Sequence, residues 1–248
     1  MSVIDLFSEA SDRYAAARPQ YPRELYQFLA ASVKTPGRVW DCGAGNGQAS
    51  IGLAEFFTEV YATDISAQQV ANAIACDNVT YSVHPAESTH FSENFFDAVV
   101  VAQALHWFDF DRFWLEVKRV LKPEGLFAAW AYSSLDVSPE VNEMIQQEIS
   151  DVIAPFWSDR IRHIWTGYKE INFPFAPMET PLFEIRLDWR LSDLLAYMST
   201  WSATRQCIQE QGDQFFQTAA QQLAEVWENP EQQKTVTMKL HLFAGKNI

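Results

Sequence analysis

The run Asp41-Cys42-Gly43-Ala44-Gly45-Asn46-Gly47 places a carboxylate at the head of alternating glycines. Glycines allow positive φ and carry no Cβ to hold a ligand off the backbone, so the run suits a nucleotide-type ligand lying against main-chain amides. Its spacing is not that of a dinucleotide fingerprint. A G-x-G-x-x-G pattern begun at Gly43 would end on Gln48, and one begun at Gly45 would end on Ser50. Asp41 can accept from a cationic amine, which a pyrophosphate does not offer. Asp64 follows about twenty residues later, where an acid at the end of a second strand grips a ribose diol. Its alternative is a helix N-cap, for which Ser66 is better placed. His106, in His106-Trp107-Phe108-Asp109, follows a β-branched run directly and suits a base or a donor to a substrate carboxylate. Packing of an aromatic loop is the competing reading. Trp201 and Arg205, one helical turn apart, offer an aromatic wall with a forked cation beside it, unless Arg205 simply faces water.

These residues need a scaffold that gathers them. Residues 5–17 and 23–33 read as amphipathic helices, separated by Arg18-Pro19-Gln20-Tyr21-Pro22, which no helix crosses unbroken. A strand at 38–41 leads into the glycine turn, and a helix runs from 48 to about 57. Residues 60–63 form a second strand ending in Asp64, after which Ser66 and Gln69 form a capping-box pattern. Residues 79–83 alternate as a third strand, and 98–102 form a fourth, apolar on both faces. Residues 111–121 read as a helix closed by Lys122-Pro123-Glu124-Gly125, with a fifth strand at 126–132. Such alternation implies right-handed βαβ units, a parallel sheet, and a ligand at the carboxyl ends of the strands.

Beyond Tyr132 the regularity breaks at Pro139, Pro155, Pro174, Pro177 and Pro181. Helices are expected at 139–153, 192–204 and 213–227, and alternating strands at 183–189 and 235–243. The expected fold is α/β: a doubly wound, seven-stranded, mostly parallel Rossmann-like sheet with a helical cap. The 248 residues are expected to form one domain, with a cap at 1–35 and a cofactor-binding core at 36–134. Residues 135–248 would supply the last two strands and a substrate lid.

The chain carries a formal charge of −14, with 18 Lys and Arg against 32 Asp and Glu. That disfavours a nucleic-acid substrate, whose phosphates require clustered cations, and docking on anionic lipid. Cys42, Cys76 and Cys207 are widely spaced and contain no C-x-x-C, which points to a reducing compartment. The five histidines include no i, i+4 pair, so no metal site is expected. The N-terminus lacks the basic start and apolar core of a signal peptide, and no run is long enough for a membrane span. A cytoplasmic protein is expected.

The D-x-G-x-G-x-G run in its strand–turn–helix setting resembles motif I of the class I S-adenosylmethionine-dependent methyltransferases (methyltransferase type 11). The resemblance runs by motif over residues 10–132. It implies S-adenosylmethionine as cofactor, held by Asp41, Gly43, Ala44, Gly45, Asn46 and Gly47, by Asp64 and the adjoining Ile65, and by Ala86 and Glu87 at the adenine. Residues 101–105 resemble motif IV, which brings Ala102 and Gln103 beside the methionine part. Tyr14 and Arg18 resemble the N-terminal residues that close over the cofactor in small-molecule methyltransferases. Within the superfamily Arg18-Pro19-x-Tyr21-Pro22 and Ala104-x-His106-Trp107-Phe108 look closest to the trans-aconitate methyltransferase-like group. That implies a small organic acid methylated on oxygen, with His106 as the catalytic candidate and His106, Trp107, Trp201 and Arg205 around the substrate. A non-catalytic cofactor-binding module and a nucleotide-dependent oxidoreductase are the rival classes. The glycine spacing and the lack of a Tyr-x-x-x-Lys pair count against the oxidoreductase.

Overall fold

In a computed structural model that describes residues 19–248, the apolar runs become strands of one sheet. β1 (Arg38–Cys42) and β4 (Phe96–Ala102) are buried almost end to end, as strands covered on both faces must be. With β2 (Glu59–Asp64), β3 (Val79–Val83) and β5 (Leu121–Tyr132) they pair in parallel. β8 (Lys234–Lys246) runs antiparallel to β5 and to the two-residue β6 (Ala176–Pro177), and β7 (Phe183–Trp189) also pairs with β8. The order is β3-β2-β1-β4-β5-β8-β6. The fold is the expected doubly wound, mostly parallel α/β sheet, with β6 as one short strand more than anticipated. Strand order reverses between β1 and β4, so a crevice opens at the ends of those strands.

Helices cover the sheet where the sequence is amphipathic. α1 (Arg23–Ala31) starts after Pro22 and buries Leu25, Tyr26 and Leu29. α2 (Gln48–Ala54) follows the glycine turn without a linker. Its Gly52 allows Tyr26 to lie on the helix, since a Cβ there would fall 2.1 Å from the Tyr26 ring. Ser66 caps α3 (Ala67–Ala71) by accepting from the Gln69 amide at 3.3 Å. α4 (Phe110–Val120) is capped by Asp109 and buries Phe113, Val117 and Val120. Trp40, Phe96 and Phe127 pack with Phe113 into an aromatic cluster. The Trp40 indole is satisfied by donating to Thr63 Oγ1 at 2.8 Å, so this core leaves no polar cost at that position.

The chain divides into two compact units. Residues 20–133, 162–184 and 239–248 form one. The described part of the other is residue 19 with 134–161 and 185–238. This second unit holds α5 (Pro139–Ile145), extended by a π-helical turn Gln146–Ser150, then α6 (Leu191–Ser199), α7 (Ser202–Gln211) and α8 (Gln214–Trp227). No helix among the described residues is long and apolar enough to cross a membrane.

Two elements differ from expectation. The helix expected at 192–204 is two helices, because Thr200 turns its hydroxyl back onto the Tyr197 carbonyl at 2.6 Å and ends the first. The expected turn after α4 is strand instead: β5 begins at Leu121, and Glu124, not Gly125, takes the positive φ of 60°.

Candidate functional site

Gly43, Gly45 and Gly47 all have positive φ, at 73°, 57° and 89°. Only glycine adopts this without strain, and the three use the freedom differently. A Cβ on Gly43 would meet Ala104 at 2.7 Å, and one on Gly47 would meet the Tyr81 hydroxyl at 2.1 Å. These two glycines let protein pack on the turn. A Cβ on Gly45 would meet nothing within 4 Å among the described residues, so they leave that face of the turn open. The turn is fastened to the end of β2. The amides of Gly43 and Ala44 donate to the Thr63 carbonyl at 2.8 and 2.9 Å. Asp64 accepts from the Gly45 amide at 2.9 Å and from the Ser66 amide at 2.8 Å. Asn46 accepts at its carbonyl from the Ile74 amide at 3.0 Å.

Asp41 is fully buried at the end of β1. Its Oδ2 accepts from the Ser50 hydroxyl at 2.6 Å, while Oδ1 is buried with no partner among the described residues. Burial raises its pKa to about 6, partly offset by the Ser50 hydrogen bond, and Asp64 nearby raises it further. A buried carboxylate with one unsatisfied oxygen is expensive unless a donor completes it, and a cation serves best. Tyr81 lies alongside, donating to the Ile74 carbonyl at 2.9 Å. Burial, then the Asp41 charge, pushes its phenol up to about 12. Sequence reasoning passed over Tyr81: alternation put it on β3, and nothing local tied it to the turn.

At the ends of the neighbouring strands, Ala86 is buried, and Glu87 accepts from the Asp109 amide at 2.9 Å, joining the loops after β3 and β4. Ile65 is 76% exposed, an apolar side chain left bare beside Asp64. Gln103, just past Ala102, has a φ of 57°, a conformation that costs a non-glycine residue about 1–2 kcal/mol. Its amide donates to the Trp130 carbonyl at 2.9 Å and its Nε2 to the Tyr132 carbonyl at 3.3 Å, while Oε1 is buried without a partner among the described residues. Strain and an unsatisfied atom therefore meet at one residue at the end of β4. His106 is buried in a one-turn helix, Leu105–Trp107, with its ring 4.7 Å from that of the half-exposed Trp107.

One unit therefore brings together the 41–47 turn, Asp64 and Ile65, Ala86 and Glu87, Ala102 and Gln103, and His106 and Trp107. Trp201 and Arg205 belong to the other unit. There Trp201 precedes α7, its ring 5.9 Å from Tyr197 and 6.2 Å from Trp157. Arg205 donates its amide to the Trp201 carbonyl at 3.0 Å and, with Ser202, Gln206, Gln209 and Glu210, lines a cavity of about 520 Å³. Tyr14 and Arg18 lie outside the described residues. No cluster of three or more potential metal ligands occurs among the described residues.

Residues 40–129, which contain the turn and the ends of β1 to β4, match the family model of a methyltransferase domain. A solved structure of a candidate type II methyltransferase from Anaeromyxobacter dehalogenans is 38% identical, with a TM-score of 0.87 over 93% of this chain and 98% of that one. A candidate methyltransferase of Dictyostelium discoideum is 29% identical over 80% of this chain and 77% of its own length. A malonyl-[acyl-carrier protein] O-methyltransferase of Geobacter sulfurreducens is 30% identical over 47% of this chain and 46% of its own.

Proposed function

We propose, since this chain belongs to the class I S-adenosylmethionine-dependent methyltransferase family, that it methylates a small organic acid on a carboxylate oxygen. The cofactor is S-adenosylmethionine, which supplies a methyl group on a cationic sulfur when bound. The observation that carries the site reading is the pairing of Asp41, buried with Oδ1 unsatisfied, with the open face of Gly45. Asp41 takes the ammonium of the methionine part, and the backbone at Gly45 approaches the ligand closely. Asp64 takes the ribose hydroxyls with the lone pairs left beyond its two amide bonds. Ile65 lies under the adenine, with Ala86 and Glu87 at its edge. Ala102 and Gln103 line the methionine part, and His106 and Trp107 face the acceptor.

Transfer from a sulfonium is an in-line displacement, so the protein's task is to align the nucleophile and keep water out. A carboxylate is already a nucleophile and needs no base. His106 in this reading positions the acceptor as a donor. The Geobacter relative is named for O-methylation, and the segments Arg18-Pro19-x-Tyr21-Pro22 and Ala104-x-His106-Trp107-Phe108 resemble the trans-aconitate methyltransferase-like group. Both support an acid acceptor.

The test is incubation with methyl-labelled S-adenosylmethionine and a panel of small mono-, di- and tricarboxylic acids. A base-labile methyl ester is the expected product. Label on nitrogen or carbon, or no transfer to any acid, would refute the acid assignment.

A further inference from the structure

The segment that carries Ala86 and Glu87 is fastened at its start, middle and end. At the start the His84 amide donates to the Asp64 carbonyl at 3.1 Å. In the middle the amide of Asp109, the N-cap of α4, donates to Glu87 Oε1 at 2.9 Å. At the end Glu116 Oε1 accepts from both the Thr89 amide and the Thr89 hydroxyl, at 2.8 and 2.6 Å. Arg119, one turn further along α4, grips the same carboxylate through Nε and Nη2 at 2.8 and 2.7 Å. Its Nη1 donates to the Phe91 carbonyl at 2.6 Å, and its Nη2 to the Thr89 carbonyl at 3.4 Å.

This last clamp touches nothing in the cofactor site, yet it is the most heavily bonded part of the segment. Glu116 is 8% exposed, so its charge is withdrawn from water and needs donors to complete it. Burial opposes ionisation, but the hydrogen bonds from Arg119 and Thr89 more than offset it and hold the pKa below the ordinary glutamate value. A buried ion pair adds little net stability over an apolar filling of the same space. What it does determine is geometry, because a forked guanidinium and a shared carboxylate admit few arrangements of the backbone they hold. The segment has an apolar anchor too, with the Phe91 ring edge-on to Phe96 at 4.8 Å and to Trp40 at 5.8 Å. Glu87 lies two residues before Thr89, so the position of Thr89 constrains the Glu87 backbone directly.

We infer that Glu116, acting through Thr89, is a positioning residue that sets which purine base the cofactor site accepts. It holds the Glu87 turn so that Oε1 stays on the Asp109 amide and Oε2 is presented to the amino edge of the base. An ionised carboxylate only accepts. It therefore attracts the exocyclic amine of adenine and repels the carbonyl oxygen that hypoxanthine carries at that position. Such discrimination needs a stationary acceptor, since a turn free to swing aside loses the bond to the amine and escapes the repulsion alike. The inference rests on the reading above that Glu87 meets the adenine edge, and not on the identity of the methyl acceptor.

The experiment compares S-adenosylhomocysteine with S-inosylhomocysteine, its hypoxanthine counterpart, by calorimetry on the intact protein. Removing Glu116 itself would strand the Arg119 charge and threaten folding, so the variants are made at Thr89. Thr89→Val keeps the side-chain shape and removes the hydroxyl, whereas Thr89→Ser retains it. Wild type is expected to prefer the adenine ligand about tenfold or more, the worth of one hydrogen bond to a charged acceptor. Thr89→Val should reduce that preference to about threefold or less, chiefly by weakening the adenine ligand, and Thr89→Ser should restore it. A purely structural clamp would weaken both ligands alike. Equal weakening, or an unchanged preference in Thr89→Val, overturns the inference and leaves the adenine reading of Glu87 standing. If wild type binds the two ligands equally, that reading of Glu87 falls and the inference falls with it.

Discussion

Asp64 accepts from the Gly45 amide at 2.9 Å, so the acid at the end of β2 holds in place the glycine that opens the turn after β1. The two motifs are one structure. Asp64→Ala removes that anchor together with the charge-assisted bonds proposed for the ribose, worth about 1.5–3 kcal/mol. The expected outcome is a ten- to hundredfold loss of S-adenosylhomocysteine affinity by calorimetry, with a smaller loss for Asp64→Asn, which keeps an acceptor for the Gly45 amide.

The glycines of the turn separate ligand effects from packing effects. Gly47→Ala sets a Cβ 2.1 Å from the Tyr81 hydroxyl and should lower the melting temperature by several degrees. Gly45→Ala meets no described residue within 4 Å and bears the conformational cost of φ 57°, about 1 kcal/mol. It should melt close to wild type yet bind cofactor poorly. Thermal shift with and without S-adenosylhomocysteine checks both.

Asp41 makes cofactor binding pH-dependent. Its folded pKa of about 6 lies above the usual value for aspartate, so the folded protein binds the extra proton between about 3.9 and that value. Stability from this group is therefore full below about 3.9 and is lost as pH rises through about 6. Binding has the opposite sign, because an ammonium needs the ionised carboxylate. The dissociation constant for S-adenosylhomocysteine should rise about tenfold per pH unit below 6, and Asp41→Asn should flatten that dependence. Calorimetry at pH 5, 6, 7 and 8 gives the slope.

What the sequence made legible was local. Asp41, the glycines, Asp64 and Ser66 sit within a single strand–turn–helix–strand stretch, where spacing and residue type determine conformation almost alone. Tyr81 and Gln103 were harder. The proximity of Tyr81 to Gly47 depends on β3 lying beside β2. The strained φ of Gln103 depends on β5, whose Trp130 and Tyr132 carbonyls capture its amides. Periodicity put Arg205 one turn after Trp201, and the Arg205 amide does bond the Trp201 carbonyl. It could not show that the helix expected through them breaks at Thr200.

His106 distinguishes a positioning role from base catalysis. If the acceptor is a carboxylate, His106→Gln should raise its Michaelis constant and lower the turnover number less than tenfold. Loss of a general base would instead cost about 10²–10⁴ in rate. Steady-state kinetics on the acid found in the panel decides between them.

The most direct test of the cofactor site is calorimetric titration of the wild-type protein and the Gly45→Ala variant with S-adenosylhomocysteine. The account predicts saturable one-to-one binding to wild type and at least a tenfold weaker constant for the variant at nearly unchanged melting temperature. Equal affinity in both proteins, or binding of NADH with none of S-adenosylhomocysteine, would contradict it.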